Sequence, residues 1–131
     1  MEPVRYPIRI YQHASWRLDA NFKDPDGNKL DLSDYAGKLQ IRRSSCGSEP
    51  LLELTSMNGG VVLDNAAADF NVVIRMTNVQ TADLPSNNRE VDDWVYDFLI
   101  YQNTDPEYTT IRLLEGDVYI SPAVTREEPS P

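Results

Sequence analysis

S-W-R-L-D-A-N-F-K, residues 15–23, alternates apolar and polar side chains without a break. Trp16, Leu18, Ala20 and Phe22 fall on one side, and Arg17, Asp19, Asn21 and Lys23 on the other. Successive side chains of a strand point to opposite faces, so a period of two describes a half-buried β-strand. D-P-D-G-N-K follows at 24–29. Pro25 presets φ for a reversal and Gly27 supplies a positive φ, so the strand ends in a tight turn.

The same period recurs along the chain. K-L-Q-I-R-R (38–43) sets Leu39 and Ile41 on one face, and F-N-V-V-I-R-M (70–76) does the same with Phe70, Val72, Ile74 and Met76. L-L-E-L-T (51–55) and V-V-L-D (61–64) flank N-G-G at 58–60, a hairpin signal. W-V-Y-D-F-L-I-Y (94–101) aligns Trp94, Tyr96, Phe98 and Ile100 on one face. Its other face carries Val95, Leu99 and Tyr101 beside Asp97, as in a central strand covered on both sides or one at an interface. T-N-V-Q-T-A-D-L-P (77–85) reads as a single helical turn capped by Thr77 or Asn78, and Q-N-T-D-P-E-Y (102–108) as a turn.

L-L-E-G-D-V-Y-I-S-P-A-V-T-R (113–126) closes the series. Leu114, Gly116, Val118 and Ile120 share an inward face, and Gly116 marks a bulge or a close backbone approach. Leu113 falls on the opposite face unless the register shifts at Glu115–Gly116. Pro122 lacks an N–H and ends the ladder. About seven or eight strands at spacings of roughly 8–12 residues define an all-β protein. The expected fold is an antiparallel β-sandwich, Ig-like or jelly-roll-like, with at most one short helical turn. Residues 1–13, with Pro3 and Pro7, read as an extended N-terminal arm or edge strand. Residues 14–121 read as the sandwich and 122–131 as a flexible tail.

A chain of 131 residues fits one domain with a real core, and 40% hydrophobic with 25% charged residues fits a globular protein rather than a disordered one. The N-terminus lacks the apolar stretch of a signal peptide, and no run is long enough to span a bilayer. The expectation is therefore a protein made and folded in a cytoplasm, without membrane contact. The net charge of −9 is uneven. Residues 1–50 hold eight Lys/Arg against seven Asp/Glu, and residues 51–131 hold four against fourteen. An acidic chain with pI near 4.4 repels phosphate backbones, which argues against nucleic acid as a partner.

Few residues suit chemistry. His13 is the single histidine, with no G-x-S-x-G elbow to accompany it. Cys46 is the single cysteine, so it forms no internal disulfide and builds no zinc site alone. Arg42 and Arg43 near it favour a thiolate, yet no histidine stands close in sequence as a base. D-P-D-G-N (24–28) starts like a calcium loop, but Tyr35 stands where the closing glutamate belongs. The acidic run E-V-D-D-W (90–94) reads as a solvated loop rather than a catalytic carboxylate pair. The alternating aromatics Trp16, Phe22, Phe70, Trp94, Tyr96 and Phe98 read as core rather than a stacking platform. A noncatalytic β domain with no cofactor and no metal is the expectation.

Taken in order, W-R-L-D (16–19), D-P-D-G-N-K-L-D-L-S-D-Y (24–35), I-R-R-S (41–44), L-L-E-L-T (51–55), N-G-G-V-V-L-D (58–64), Q-T-A-D-L-P (80–85), W-V-Y-D-F (94–98) and the closing segment 113–126 resemble small virion proteins of tailed bacteriophages. They are also similar to the N-terminal module of the phage baseplate upper protein family. The closing L-L-E-G-x-V-x-I-S-P-x-V-T-R carries most of the resemblance. Residues 1–13 lie outside the pattern, and the loop 86–93 is longer and more acidic than it requires. The resemblance implies a virion part of the tail, baseplate or fibre-attachment region, in many copies, whose partners are other virion proteins and itself. Capsid decoration or head–neck proteins, and a carbohydrate-binding module, are the alternatives. The expected contacts are Pro3, Arg5, Pro7 and Arg9 in the arm, Asp92, Asp93 and Trp94 in the acidic loop, and Pro122, Val124 and Arg126 in the tail.

Overall fold

The computed structural model describes residues 3–43, 49–64, 69–85 and 94–122. Nine strands are present among them: β1 (Val4–Arg5), β2 (Ile8–Tyr11), β3 (Trp16–Ala20), β4 (Tyr35–Arg43), β5 (Leu52–Thr55), β6 (Val61–Leu63), β7 (Val72–Met76), β8 (Trp94–Gln102) and β9 (Ile111–Ser121). Two short helices complete the set, α1 (Asn78–Ala82) and α2 (Pro106–Thr109). The strands form two sheets. The larger runs β1-β9-β8-β4-β5, with β2 also on β9, and the smaller runs β3-β7-β6. Their inner faces share one core that includes Ile10, Leu39, Ile41, Leu54, Val72, Ile74, Phe98 and Ile120. The molecule is a β-sandwich, as the alternation predicts.

The structure departs from the sequence expectation in four places. N-G-G does not close a hairpin, because β5 pairs with β4 in one sheet and β6 with β7 in the other. The chain changes sheets there. Gly59 takes φ 81°, and the Asn58 side-chain oxygen accepts from the Thr55 and Gly60 amides, so the same turn residues build a corner. Second, the sandwich is not wholly antiparallel, since β1 and β2 both run parallel to β9.

Third, the irregularity in β9 sits earlier than Glu115–Gly116. Phe98 faces Leu114 while Leu99 faces Arg112, which leaves Leu113 as the extra residue of a bulge. Leu113 therefore turns inward beside Leu114, and both are buried. Fourth, there are two helical turns rather than one. The first is as expected: Thr77 caps α1, its hydroxyl accepting from the Gln80 amide while the Gln80 side chain accepts from the Thr77 amide. The second, α2, grows from the D-P-E-Y turn, with Pro106 in the first helical turn, where its missing N–H costs nothing.

The 24–29 turn forms as read. The Asp24 side chain accepts from the Asp26 and Asn28 amides, and Gly27 takes φ 85°. Asn71 closes this region from within. It is fully buried, accepts from the Phe22 amide at 2.9 Å and donates to the Phe22 carbonyl at 2.9 Å. A side chain thus supplies the ladder partners that β7 no longer offers beyond Val72. Asn71→Ala leaves the Phe22 amide unpaired, while the Phe22 carbonyl keeps the Leu30 amide at 3.0 Å, and is expected to lower unfolding free energy by about 1–3 kcal/mol. Urea denaturation of the two proteins measures it; a change under about 0.5 kcal/mol would show the side chain is not structural.

Candidate interaction surface

β1 and β2 are one edge strand in a single register. Val4 faces Leu114, Arg5 faces Glu115, and the same offset resumes with Ile8 on Val118 and Ile10 on Ile120. At the gap between them lie Tyr6 and Pro7, opposite Gly116. A Cβ at residue 116 would stand 2.5 Å from the Tyr6 carbonyl oxygen. Only a glycine lets the two backbones approach this closely. Tyr96, paired with Gly116 on β8, reaches across the vacated space and donates its hydroxyl to that carbonyl at 2.5 Å. The Tyr6 amide donates to Glu115 O at 2.8 Å, so backbone direction alternates and Pro7 turns its nitrogen away from β9. A proline there blunts the open edge.

Residues 4–11 are accordingly built into the sheet rather than held apart as an arm, and Ile8 and Ile10 are buried in the core. Burying two isoleucines contributes roughly 3–6 kcal/mol, a large share of a small domain's stability. Burial pushes the Tyr96 phenol far above its usual pKa, with Tyr6 and Glu115 adding to the shift. The hydroxyl therefore stays a donor throughout the neutral range.

The outer face of the larger sheet is polar and internally paired. Arg5 lies 3.8 Å from Glu115 and 3.6 Å from Asp117, and Arg112 lies 3.5 Å from both Asp97 and Glu115. Arg42 donates to Gln40, which donates to Glu53. These groups are one-third to two-thirds exposed, so the ladder fixes charge positions more than it adds stability. Arg9 lies 5.6 Å over the Tyr119 ring. Tyr11 and Tyr119 project from this face at 55% and 45% exposure.

The structure places the expected contacts unevenly. Arg5 and Arg9 are exposed but engaged on their own sheet, Pro3 is half-buried ahead of β1, and Pro7 and Pro122 are exposed. Trp94 is not a loop residue: it opens β8, is 3% exposed and belongs to the core, with the Arg43 guanidinium 5.0 Å over its ring. Period-two continuity with Tyr96 and Phe98 carries it inward. Asp92, Asp93, Val124, Arg126 and Cys46 lie outside the described residues. His13 takes φ 67° in the turn after β2, a left-handed position in a reversal rather than a cleft. Among the described residues no cluster of His, Cys, Asp or Glu suits a metal, and no helix is long and apolar enough to cross a membrane. Sequence reading missed Val4, Tyr6, Tyr11 and Tyr119 as exposed apolar surface. The signal was the edge position that Pro3 and Pro7 imply.

No family model matches the chain, and no curated protein matches it. Among solved structures, an extracellular domain of the voltage-gated sodium channel β4 subunit, described as a parallel homodimer that explains a role in cell–cell adhesion, aligns at TM-score 0.45 and 8% identity. The alignment covers 92% of this chain and 93% of that one. The two-sheet strand pairing by itself defines the sandwich.

Two substitutions probe the clamp. Gly116→Ala drives a methyl into Tyr6 backbone and is expected to cost about 1–3 kcal/mol. Tyr96→Phe removes only the hydroxyl and is expected to cost about 1 kcal/mol. A raised folded pKa means the Tyr96 contribution is whole below the unfolded tyrosine value, about 10, and is lost as pH rises above it. Chemical denaturation from pH 7 to 11 should show a shallower alkaline decline for Tyr96→Phe than for wild type; parallel curves would contradict the clamp.

Proposed function

We propose that this chain is a noncatalytic structural or adaptor subunit of a tailed-bacteriophage virion, in the tail, baseplate or fibre-attachment region, assembled in multiple copies. One observation carries the contact role. The N-terminal edge and the adjoining β9 join a firmly seated backbone to exposed Val4, Tyr6, Tyr11 and Tyr119. Exposed aromatic and aliphatic side chains on a rigid frame favour docking of another protein, because little entropy is lost on binding. The segment order ending in residues 113–126 supports the virion assignment. The acidic second half of the chain supports oriented contact with basic neighbours.

A second reading, a carbohydrate-binding module, is favoured by Tyr11 and Tyr119 on one sheet face. A glycan array separates it from the first.

Labelled-antibody microscopy of purified particles tests the main reading. Signal at the tail tip is expected, signal at the head would support a decoration or neck protein instead, and absence from particles would contradict a virion role. Deleting residues 1–12 is a poor probe, since it removes core isoleucines. Tyr11→Ser with Tyr119→Ser should keep the melting temperature within a few degrees and reduce incorporation into particles; unchanged incorporation would remove this edge as the contact.

A further inference from the structure

Among the described residues, strand β3 has a partner on one side only. That partner is β7. Which of its backbone groups are unused follows from β7. The Arg75 amide donates to Gly60 O and Val73 stands opposite Val62, so odd-numbered groups of β7 face β6; at Asn71, just before the strand, the carbonyl turns to Asp64 and the amide to Ala20 O. Even-numbered groups face β3, which makes Trp16–Met76, Leu18–Ile74 and Ala20–Val72 the hydrogen-bonded pairs. The amides and carbonyls of Arg17 and Asp19 consequently point out of the sheet.

We infer that this chain forms a two-fold symmetric dimer by antiparallel pairing of β3 with β3 of a second copy, centred on Leu18. In that register Arg17 meets the partner's Asp19, and Asp19 meets the partner's Arg17, which pairs the outward amides and carbonyls with each other. The same two positions bring opposite charges together twice on the outer face, where both side chains are exposed. Registers centred on Arg17 or on Asp19 also match the amides, but they set arginine against arginine or aspartate against aspartate. Like charges directly opposite are destabilising across strands, so W-R-L-D-A selects one register of the three. The sequence is self-complementary about its centre in size as well, because Trp16 falls opposite the partner's Ala20.

The inner side of this edge has room for that tryptophan. A groove of about 340 Å³, whose lining includes Val4, Tyr6, Leu18, Phe22 and Leu114 together with Asp19 and Asn21, opens between β1 and β3 at the unclosed flank of the sandwich. Pairing extends the smaller sheet from three strands to six across the dyad and lays the partner's Trp16 against the groove. Isologous contact of this kind uses the same patch on both copies and closes at two. This interface lies on a different strand from the Tyr11–Tyr119 edge, and it does not depend on the virion reading.

Sedimentation of the full chain over a concentration series tests the inference, with two exposed-charge variants. Wild type should self-associate to a dimer. Arg17→Asp and Asp19→Arg should each weaken the homodimer at least about tenfold, because each sets like charges opposite one another twice. Mixing the two variants should restore a heterodimer near wild-type affinity, since each then supplies what the other lacks. The restoration cannot arise within one chain, where both variants lose the Arg17–Asp19 pair. Leu18→Cys in a Cys46→Ser background should cross-link between copies on mild oxidation, as facing non-hydrogen-bonded residues approach within disulfide range. A wild type that stays monomeric at about 1 mM, variants that dimerise as well as wild type, or a mixture no tighter than its parts would overturn the proposal. Unaltered thermal melts of the charge variants exclude unfolding as the cause.

Discussion

The N-terminal strand lies on β9 because residue 116 carries no side chain. The Tyr6 carbonyl occupies the place a Cβ would take, and the Tyr96 hydroxyl closes over it. Everything at that end of the larger sheet follows from the contact. It sets the offset that puts Ile8 and Ile10 over Val118 and Ile120, and it gives β9 neighbours on both sides. It also leaves the even-numbered side chains Val4 and Tyr6 facing inward at a flank that the smaller sheet does not cover.

Two sheets of unequal width account for the surface. The larger has an outer face whose charges are mostly spent on each other, from Asp117 through Arg5, Glu115 and Arg112 to Asp97. The smaller has an open strand whose charges, among the described residues, pair with each other along the chain, Arg17 to Asp19 at 2.7 Å. Surface ion pairs of this exposure are weak, so exchanging an intrachain partner for one on another chain costs little. The open β3 edge and the Tyr11–Tyr119 end of the outer face are therefore the better docking sites, and the charged ladder between Asp117 and Asp97 the poorer one.

Much of the fold was legible in the sequence, for a physical reason. Strand side chains alternate, so Leu39 and Ile41, Val72, Ile74 and Met76, and Trp94 through Ile100 declare their faces without knowledge of their neighbours. Pairing is not local, and there the reading failed. Asn58-Gly59 has the same turn chemistry whether the following strand returns beside β5 or crosses to the other sheet. The bulge at Leu113 depends on the register of β8, which β9 alone does not encode. The sequence marks Gly116 as a bulge or a close approach, yet its partner lies 110 residues away at Tyr6, beyond any local signal. Trp94 ends an acidic run and opens an alternating one, and the alternation governs its burial. The contact residues at Asp92, Asp93, Val124 and Arg126 rest on charge and position alone.

Amide hydrogen exchange of residues 3–12 tests most directly whether the N-terminal strand is part of the sandwich. The account predicts that the Tyr6, Ile8 and Ile10 amides are protected to nearly the same degree as those of β8, opening only with global unfolding. Exchange of this segment at rates typical of an unfolded chain, with β8 still protected, would contradict it.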